Sequence, residues 1–228
     1  KKMLKLCGAK LKLVDALPYK NPGNYIRYSE TLAKSIVNEH GVLWANQFDN
    51  LSNKKSHYLT TGPEIYKQLS QKVDAFVCSV GTGGTISGVS DFLKEKNKNI
   101  VIGLADPMGS AMHNFYKNGK LKSTGSSITE GIGQGRITRN LENAVIDESF
   151  QITDIEALNV VYEMVRKEGL ILGGSSGVNI MGAVKLGKLI GPNKKIVTIL
   201  CDYGTKYESK IFNKKFLKDK ELPIPEWL

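Results

Sequence analysis

The chain has 228 residues, of which 41% are hydrophobic and 24% are charged. This length suffices for one large core or two small domains. No apolar run is long enough to span a membrane. The net charge of +10 is spread along the chain, with few arginines and no basic stretch interleaved with aromatic residues, which disfavours nucleic-acid binding. The three cysteines are far apart and lie in no zinc-type spacing, so we predict no metal site and a reducing, cytoplasmic compartment.

The first third of the chain carries short helix and strand patterns separated by glycine and proline. In chain order, the patterns predict the end of a helix stopped by Gly8, a strand over 10–14, a turn over 21–24, a helix over 25–39, a strand over 42–45 and a helix over 63–69. The chain begins without Met, and its first residues are typical of the last turns of a helix. We therefore expect it to begin inside a domain.

The remainder alternates apolar strands with helices. The predicted elements are strands over 75–80, 100–104 and 196–200, helices over 86–94, 154–167, 178–190 and 209–217, and a polar loop over 117–135. Uninterrupted apolar strands separated by helices predict an α/β fold with three layers, a parallel sheet with helices on both faces. Ligands of such sheets bind beyond the carboxyl ends of the strands.

The segment Gly81-Thr82-Gly83-Gly84-Thr85, here called the phosphate cup, joins the strand over 75–80 to the next helix. Bare backbone N–H groups at a helix start form a seat for phosphate. A triphosphate loop would need a lysine after the glycines, which is missing. The dinucleotide pattern is only partly matched, because Ile86 replaces its third glycine, although Asp106 lies where a ribose-binding acid would fall. A single phosphate ester such as pyridoxal 5′-phosphate fits better, and a plain glycine turn is the structural alternative.

A second glycine turn, Gly173-Gly174-Ser175-Ser176-Gly177, precedes another helix and is here called the serine turn. A serine at a helix start is most often an N-cap. Beside a phosphate cup, Ser175 could instead face the pyridine nitrogen of pyridoxal phosphate. A hydroxyl there does not stabilise a full positive charge, which favours β-elimination and β-replacement over transamination.

Together these segments resemble the cysteine synthase (O-acetylserine sulfhydrylase) family of fold-type II pyridoxal-phosphate enzymes, which share the tryptophan synthase β-like fold. The resemblance is carried by the phosphate cup, by the loop Glu130-Gly131-Ile132-Gly133-Gln134-Gly135, by the serine turn, and by Asn46-Gln47-Phe48-Asp49-Asn50. It implies pyridoxal 5′-phosphate as cofactor. It also implies a reaction in which O-acetylserine and sulfide give cysteine and acetate.

The resemblance assigns a role to each candidate site residue. The phosphate contacts are Gly81, Thr82, Gly83, Gly84 and Thr85; Ser175 is the partner of the pyridine nitrogen; Gln47 contacts the substrate carboxylate; Gly131 and Ile132 form a wall over the ring. Each has a simpler alternative, since Gln47 can be a solvated strand-end residue and the Gly131 loop a surface loop. The implied domains are 1–45, the C-terminal part of a smaller N-terminal domain, and 46–228, the large cofactor-binding domain.

Two departures from the family pattern matter. The Schiff-base lysine of the family lies in a Ser-x-Lys-Asp/Asn segment followed by a Thr/Ser-Gly-Asn-Thr loop, and neither occurs in these 228 residues. The chain thus looks like the family without its N-terminal part, and we expect it to be inactive alone. In addition, Cys201-Asp202-Tyr203-Gly204-Thr205 stands where many members have a Pro-Ser turn, which leaves substrate choice open.

Several alternatives stay open. Within the fold these are cystathionine synthesis and serine/threonine dehydration. Outside it, the chain could be a non-catalytic binding paralogue that lacks the lysine, or a nicotinamide-dinucleotide domain. The resemblance implies a homodimer as the assembly and the tail of a serine acetyltransferase as a possible partner.

Overall fold

The computed structural model describes residues 1–17, 19–37 and 39–228. The chain divides into two compact units, Lys1–Gln47 and Phe48–Leu228. Their boundary lies close to the expected one between residues 45 and 46. That the first unit belongs to the smaller domain of a longer enzyme stays a prediction.

The first unit contains helices α1 (Lys2–Leu6) and α2 (Tyr25–Ser35). The Asn24 side chain caps α2 by accepting a hydrogen bond from the N–H of Ile26, and it donates to the carbonyl of Leu17. Helix α2 is shorter than the predicted 25–39, because Ile36 already has an extended backbone. Asn38, within that predicted helix, lies outside the described residues. The prediction of strands over 10–14 and 42–45 is wrong. The described residues of the first unit contain helices and loops but no strand.

The second unit alternates helices and strands. Its elements are α3 (Ser52–Leu59), α4 (Thr61–Gln68), β1 (Ala75–Cys78), α5 (Gly84–Lys96), β2 (Val101–Pro107), α6 (Met112–Asn118), β3 (Glu148–Ile152), α7 (Asp154–Glu168), α8 (Gly174–Ile190), β4 (Ile196–Val197), a 3₁₀ turn (Gly204–Tyr207) and α9 (Lys214–Asp219). Among the described residues, none of the helices combines the length and apolarity needed to cross a bilayer.

The four strands form one parallel sheet in the order β3-β2-β1-β4. Ala75 of β1 lies opposite Val101 of β2 on one side and Ile196 of β4 on the other. Strand β4 is shorter than predicted. Beyond it, the hydroxyl of Thr198 donates to the carbonyl of Val77 at 2.7 Å, so a side chain satisfies that acceptor.

Helices cover both faces of the sheet, because successive side chains of β1 point in opposite directions. Phe76 is fully buried in a cluster with Leu93 of α5, and Val77 is fully buried against Ala105 and Leu186 of α8 in a second cluster. The predicted three-layer α/β fold is confirmed. Its two apolar layers fix α5 and α8 on opposite faces of β1, and this places the starts of both helices at the same edge of the sheet.

An ion pair anchors the beginning of the second unit. The guanidinium of Arg136 donates to both carboxylate oxygens of Asp49, at 3.1 and 2.9 Å, and the Arg139 N–H donates to the same carboxylate at 2.9 Å. The hydrogen bond from Arg136 holds the pKa of Asp49 below its usual range. Two residues further on, Thr138 donates its hydroxyl hydrogen to the carbonyl of Thr82 at 2.7 Å. The segment 136–140 therefore connects the start of this unit to the phosphate cup.

Asp49→Asn should remove a pH-dependent part of the stability. Because folding lowers the pKa of Asp49, its contribution is present above the unfolded-state value of about 3.9 and is lost as pH falls through the folded-state value. We expect the difference in free energy of unfolding between wild type and Asp49→Asn to be constant above about pH 5 and to shrink at lower pH. Urea titrations from pH 3 to 7, roughly spanning these pKa values, measure it. Asp219→Asn, at an exposed carboxyl of α9, is the control, and an equal pH dependence in both variants would contradict the expectation.

Candidate functional site

The phosphate cup lies beyond the carboxyl end of β1 and opens α5. Gly83 is the N-cap of this 13-residue helix and has a left-handed backbone with φ of 87°, which favours glycine. The first N–H groups of a helix have no intrahelical acceptor, and the helix dipole gives this end a partial positive charge. The only polar side-chain groups of the cup are the hydroxyls of its two threonines, and none of its side chains carries a negative charge. The arrangement suits a small anion.

The loop over 130–135 packs against the cup. The N–H of Gly133 donates to the carbonyl of Val80 at 2.9 Å. A Cβ on Gly81 would lie 2.6 Å from the carbonyl oxygen of Gly131, so only glycine allows this close approach. Ile132 packs partly buried against the cluster that contains Val77. The structure therefore brings the predicted wall residues Gly131 and Ile132 next to the predicted phosphate residues.

Asn179 joins the serine turn to the cup. Ser175 lies in the first turn of α8 with 5% of its surface exposed, and Asn179 follows one helical turn later. The side-chain oxygen of Asn179 accepts from the N–H of Ser79, two residues before the cup, at 2.7 Å. Its amide nitrogen donates to the carbonyl of Ile199 at 2.8 Å. The two glycine turns consequently border the same edge of the sheet.

Cys201 and Asp202 close the other side of the serine turn. The N–H of Cys201 donates to the hydroxyl of Ser176 at 2.9 Å, and the side-chain amide of Asn179 donates to the Cys201 thiol at 3.3 Å. The carbonyl of Asp202 accepts from the N–H of Gly173. The carboxylate of Asp202 accepts from the hydroxyl of Tyr207 at 2.9 Å. Asp202 therefore supports the serine turn through its backbone while its side chain binds a neighbouring tyrosine.

Gln47 is the last residue of the first unit, and its contact with a substrate carboxylate stays a prediction. The residues that support the cup were absent from the sequence-based set. They are Asn53, His57, Thr138 and Asn179. Asn179 lies four residues after Ser175 on the same face of α8, because this helix begins at Gly174 and not at the predicted residue 178.

Known proteins resemble this chain over nearly its whole length. The family described as "Pyridoxal-phosphate dependent enzyme" matches residues 1–202. The chain belongs to this family. It is 42% identical to "Cysteine synthase 1" of Neurospora crassa over 99% of the chain and 61% of that protein. It is 36% identical to "Cysteine synthase" of Dictyostelium discoideum over 98% of the chain and 61% of that protein.

A solved structure supports the same family at the level of the fold. The O-acetylserine-dependent cystathionine β-synthase of Helicobacter pylori superposes with a TM-score of 0.80 and 29% identity, over 92% of this chain and 64% of that chain. The predicted resemblance to cysteine synthases and the fold-type II architecture are confirmed. The chain spans about 61% of the length of the first two relatives.

The cofactor of the family is pyridoxal phosphate, and the residues present fit it. The cup offers backbone N–H groups and two hydroxyls without any carboxylate, as a phosphate dianion requires. A side chain on Gly81 would fill space that the Gly131 carbonyl borders. Ser175 supplies one neutral hydroxyl at the second turn, which can pair with a ring nitrogen. The fit therefore rests on donor chemistry and on close backbone approach.

Gly81→Ala should weaken cofactor binding, because its methyl group would collide with the Gly131 carbonyl and displace the loop from the cup. Overpacking of this kind costs about 1–3 kcal/mol, or roughly tenfold to a hundredfold in the dissociation constant of pyridoxal phosphate. Fluorescence titration of the full-length apoprotein measures it. The matched control is Gly135→Ala, where a Cβ meets nothing within 4 Å. Equal affinities for the two variants would contradict the role given to Gly81.

Proposed function

We propose that the protein replaces the β-substituent of an activated serine in a pyridoxal-phosphate-dependent reaction, converting O-acetylserine and sulfide into cysteine and acetate. The observation that carries this proposal is the pairing of a phosphate cup that holds no carboxylate with a neutral hydroxyl, Ser175, at the adjoining turn. A carboxylate at that turn would favour transamination instead. The 42% identity to a cysteine synthase supports the same choice.

The roles of the residues follow from their chemistry. Backbone N–H groups of the cup bind the phosphate, with Thr82 and Thr85 adding hydroxyl donors. Ser175 hydrogen-bonds the pyridine nitrogen without fixing a positive charge on it. When bound, pyridoxal phosphate supplies an electron-withdrawing ring that eases loss of the β-acetate group. Gln47 binds the substrate carboxylate, and Gly131 and Ile132 exclude water from one face of the site.

The first experiment compares three acceptor conditions with full-length protein and O-acetylserine. With sulfide, we expect cysteine and acetate in equal amounts. Cystathionine formed from homocysteine at a higher kcat/KM than cysteine from sulfide would instead favour the second candidate, which the Helicobacter pylori neighbour suggests. Ammonia released without any thiol as the main reaction would overturn β-replacement in favour of a dehydratase.

The full-length protein is needed because none of the lysines in residues 1–228 lies in the Ser-x-Lys-Asp/Asn segment of the family. We propose that the 228-residue polypeptide alone is inactive. We further propose that the protein assembles as a homodimer, binds a serine acetyltransferase tail and is located in the cytoplasm.

Ser175→Ala should lower kcat/KM for β-replacement roughly tenfold, the value of one net hydrogen bond of about 1–1.5 kcal/mol. The absorbance of bound cofactor should shift at the same time, because the ring nitrogen changes its partner. Steady-state kinetics and absorbance spectra check both. Ser209→Ala, at an exposed serine of the same unit, is the control. Unchanged kinetics and spectrum in Ser175→Ala would leave Ser175 as a residue of the helix start only.

A further inference from the structure

Helix α3 supplies side chains to both threonines of the phosphate cup. Asn53 and His57 are four residues apart, so they lie on the same face of this helix. The amide nitrogen of Asn53 donates to the hydroxyl oxygen of Thr82 at 2.9 Å. The imidazole Nε2 of His57 lies 3.2 Å from the hydroxyl oxygen of Thr85. Helix α3 thus contacts both threonine hydroxyls of the cup.

The contacts of Thr82 determine where its hydrogen points. A hydroxyl has two acceptor lone pairs and one donor hydrogen. The oxygen of Thr82 already accepts from Asn53 and, at 3.3 Å, from the backbone N–H of Gly84. With both lone pairs engaged by donors, the hydroxyl hydrogen of Thr82 remains for a further acceptor. An anion in the cup is such an acceptor.

The direction of the Thr85 hydroxyl depends on the tautomer of His57. The Nδ1 atom of this ring lies 2.9 Å from the hydroxyl oxygen of Thr61, at the start of α4. Burial lowers the pKa of His57 below its ordinary value, so the ring is neutral and has one donor and one acceptor nitrogen. Two arrangements satisfy these distances, and they have opposite consequences for the cup.

If Nε2 carries the proton, His57 donates to Thr85, and the Thr85 hydroxyl keeps its hydrogen for a ligand. Thr61 then donates its own hydrogen to Nδ1. If Nδ1 carries the proton, Thr85 must donate to Nε2. Thr85 would then present only lone pairs to the cup, and these repel a phosphate dianion.

We propose that His57 is a positioning residue for the phosphate cup, held by Thr61 as the Nε2–H tautomer so that Thr85 donates its hydroxyl hydrogen to the cofactor phosphate. This inference rests on the proposed function, since it takes the cup to bind phosphate. In this arrangement, the side chains of α3 donate to both threonine oxygens, so both hydroxyl hydrogens are available to the phosphate. Phosphate is then favoured over ligands that need an acceptor at this place.

The test compares two ligands that differ only in the phosphate. Dissociation constants of pyridoxal 5′-phosphate and of pyridoxal are measured with full-length apoprotein of wild type, His57→Leu and His57→Gln. Glutamine keeps an N–H donor on a side chain of similar reach, whereas leucine keeps bulk without a donor. We expect His57→Leu to bind pyridoxal phosphate about tenfold more weakly, the value of one charge-assisted hydrogen bond, and pyridoxal unchanged. His57→Gln should retain most of the wild-type affinity for both.

Equal weakening of both ligands by His57→Leu would overturn the proposal, because it would show a general packing role. Unchanged affinity for pyridoxal phosphate would overturn it as well. In either case a wild type that prefers pyridoxal phosphate over pyridoxal leaves the proposed function standing. A wild type without that preference overturns the phosphate cup itself, and the role of His57 with it.

A spectroscopic measurement keeps the proposal testable if His57→Leu does not fold. Nitrogen-15 NMR of protein labelled at histidine distinguishes protonated from unprotonated ring nitrogens, and His57→Gln identifies the signal. The chain contains three histidines. In the protein loaded with pyridoxal phosphate, we expect Nε2 of His57 to be protonated and Nδ1 to be unprotonated. Protonation at Nδ1 instead would overturn the proposal.

Discussion

The side-chain amide of Asn179 holds together the two segments on which the candidate site depends. This residue is 1% exposed, and its two ends bind the backbone after β1 and after β4, at Ser79 and Ile199. A buried amide that loses such partners costs about 1–3 kcal/mol, so the partners stay in register with it. Because Ser79 leads into the cup and Ser175 lies one turn before Asn179, a single side chain sets the separation of the two glycine turns. Close packing of the helices on both sheet faces then keeps Asn179 in place.

Around this joint the site is built from neutral hydrogen-bonding groups. The cup is supported by the amide of Asn53, the imidazole of His57 and the hydroxyl of Thr138. Fixed neutral donors bind an anion without the desolvation cost of a second buried charge. The charged pair Asp49–Arg136 lies further out, where it connects the chain before α3 to the segment that carries Thr138. The charged pair thus anchors the chain before α3, and the neutral side chains orient the groups of the cup.

Much of the fold follows from local signals in the sequence. The predicted helix over 154–167 matches α7 to within one residue, and the structure shows its local signals: Thr153 and Glu156 form a capping box, and Gly169 ends the helix in a left-handed conformation. The core strand β1 is an apolar run that is followed by the glycines of the cup, and this pattern predicts it. Strand β3 was missed because this edge strand is only half buried and reads ESFQI, without a clean alternation. The strand predicted over 196–200 forms at the predicted place, but only Ile196 and Val197 pair with β1. After them, the side chain of Thr198 donates the hydrogen bond to β1.

Helix α3 shows why residues that orient a binding site are harder to predict from sequence than residues that contact the ligand. Its sequence SNKKSHYL has no buried residue, so hydrophobic periodicity gives no sign of a helix there. The glycines of the cup are visible in the sequence because an unusual backbone needs an unusual residue. Asn53 and His57 need only an ordinary helix that packs beside the cup. Their partners, Thr82 and Thr85, lie 29 and 28 residues further along the chain. Residues that touch a ligand through backbone leave a local pattern, whereas residues that orient them act through tertiary structure and leave none.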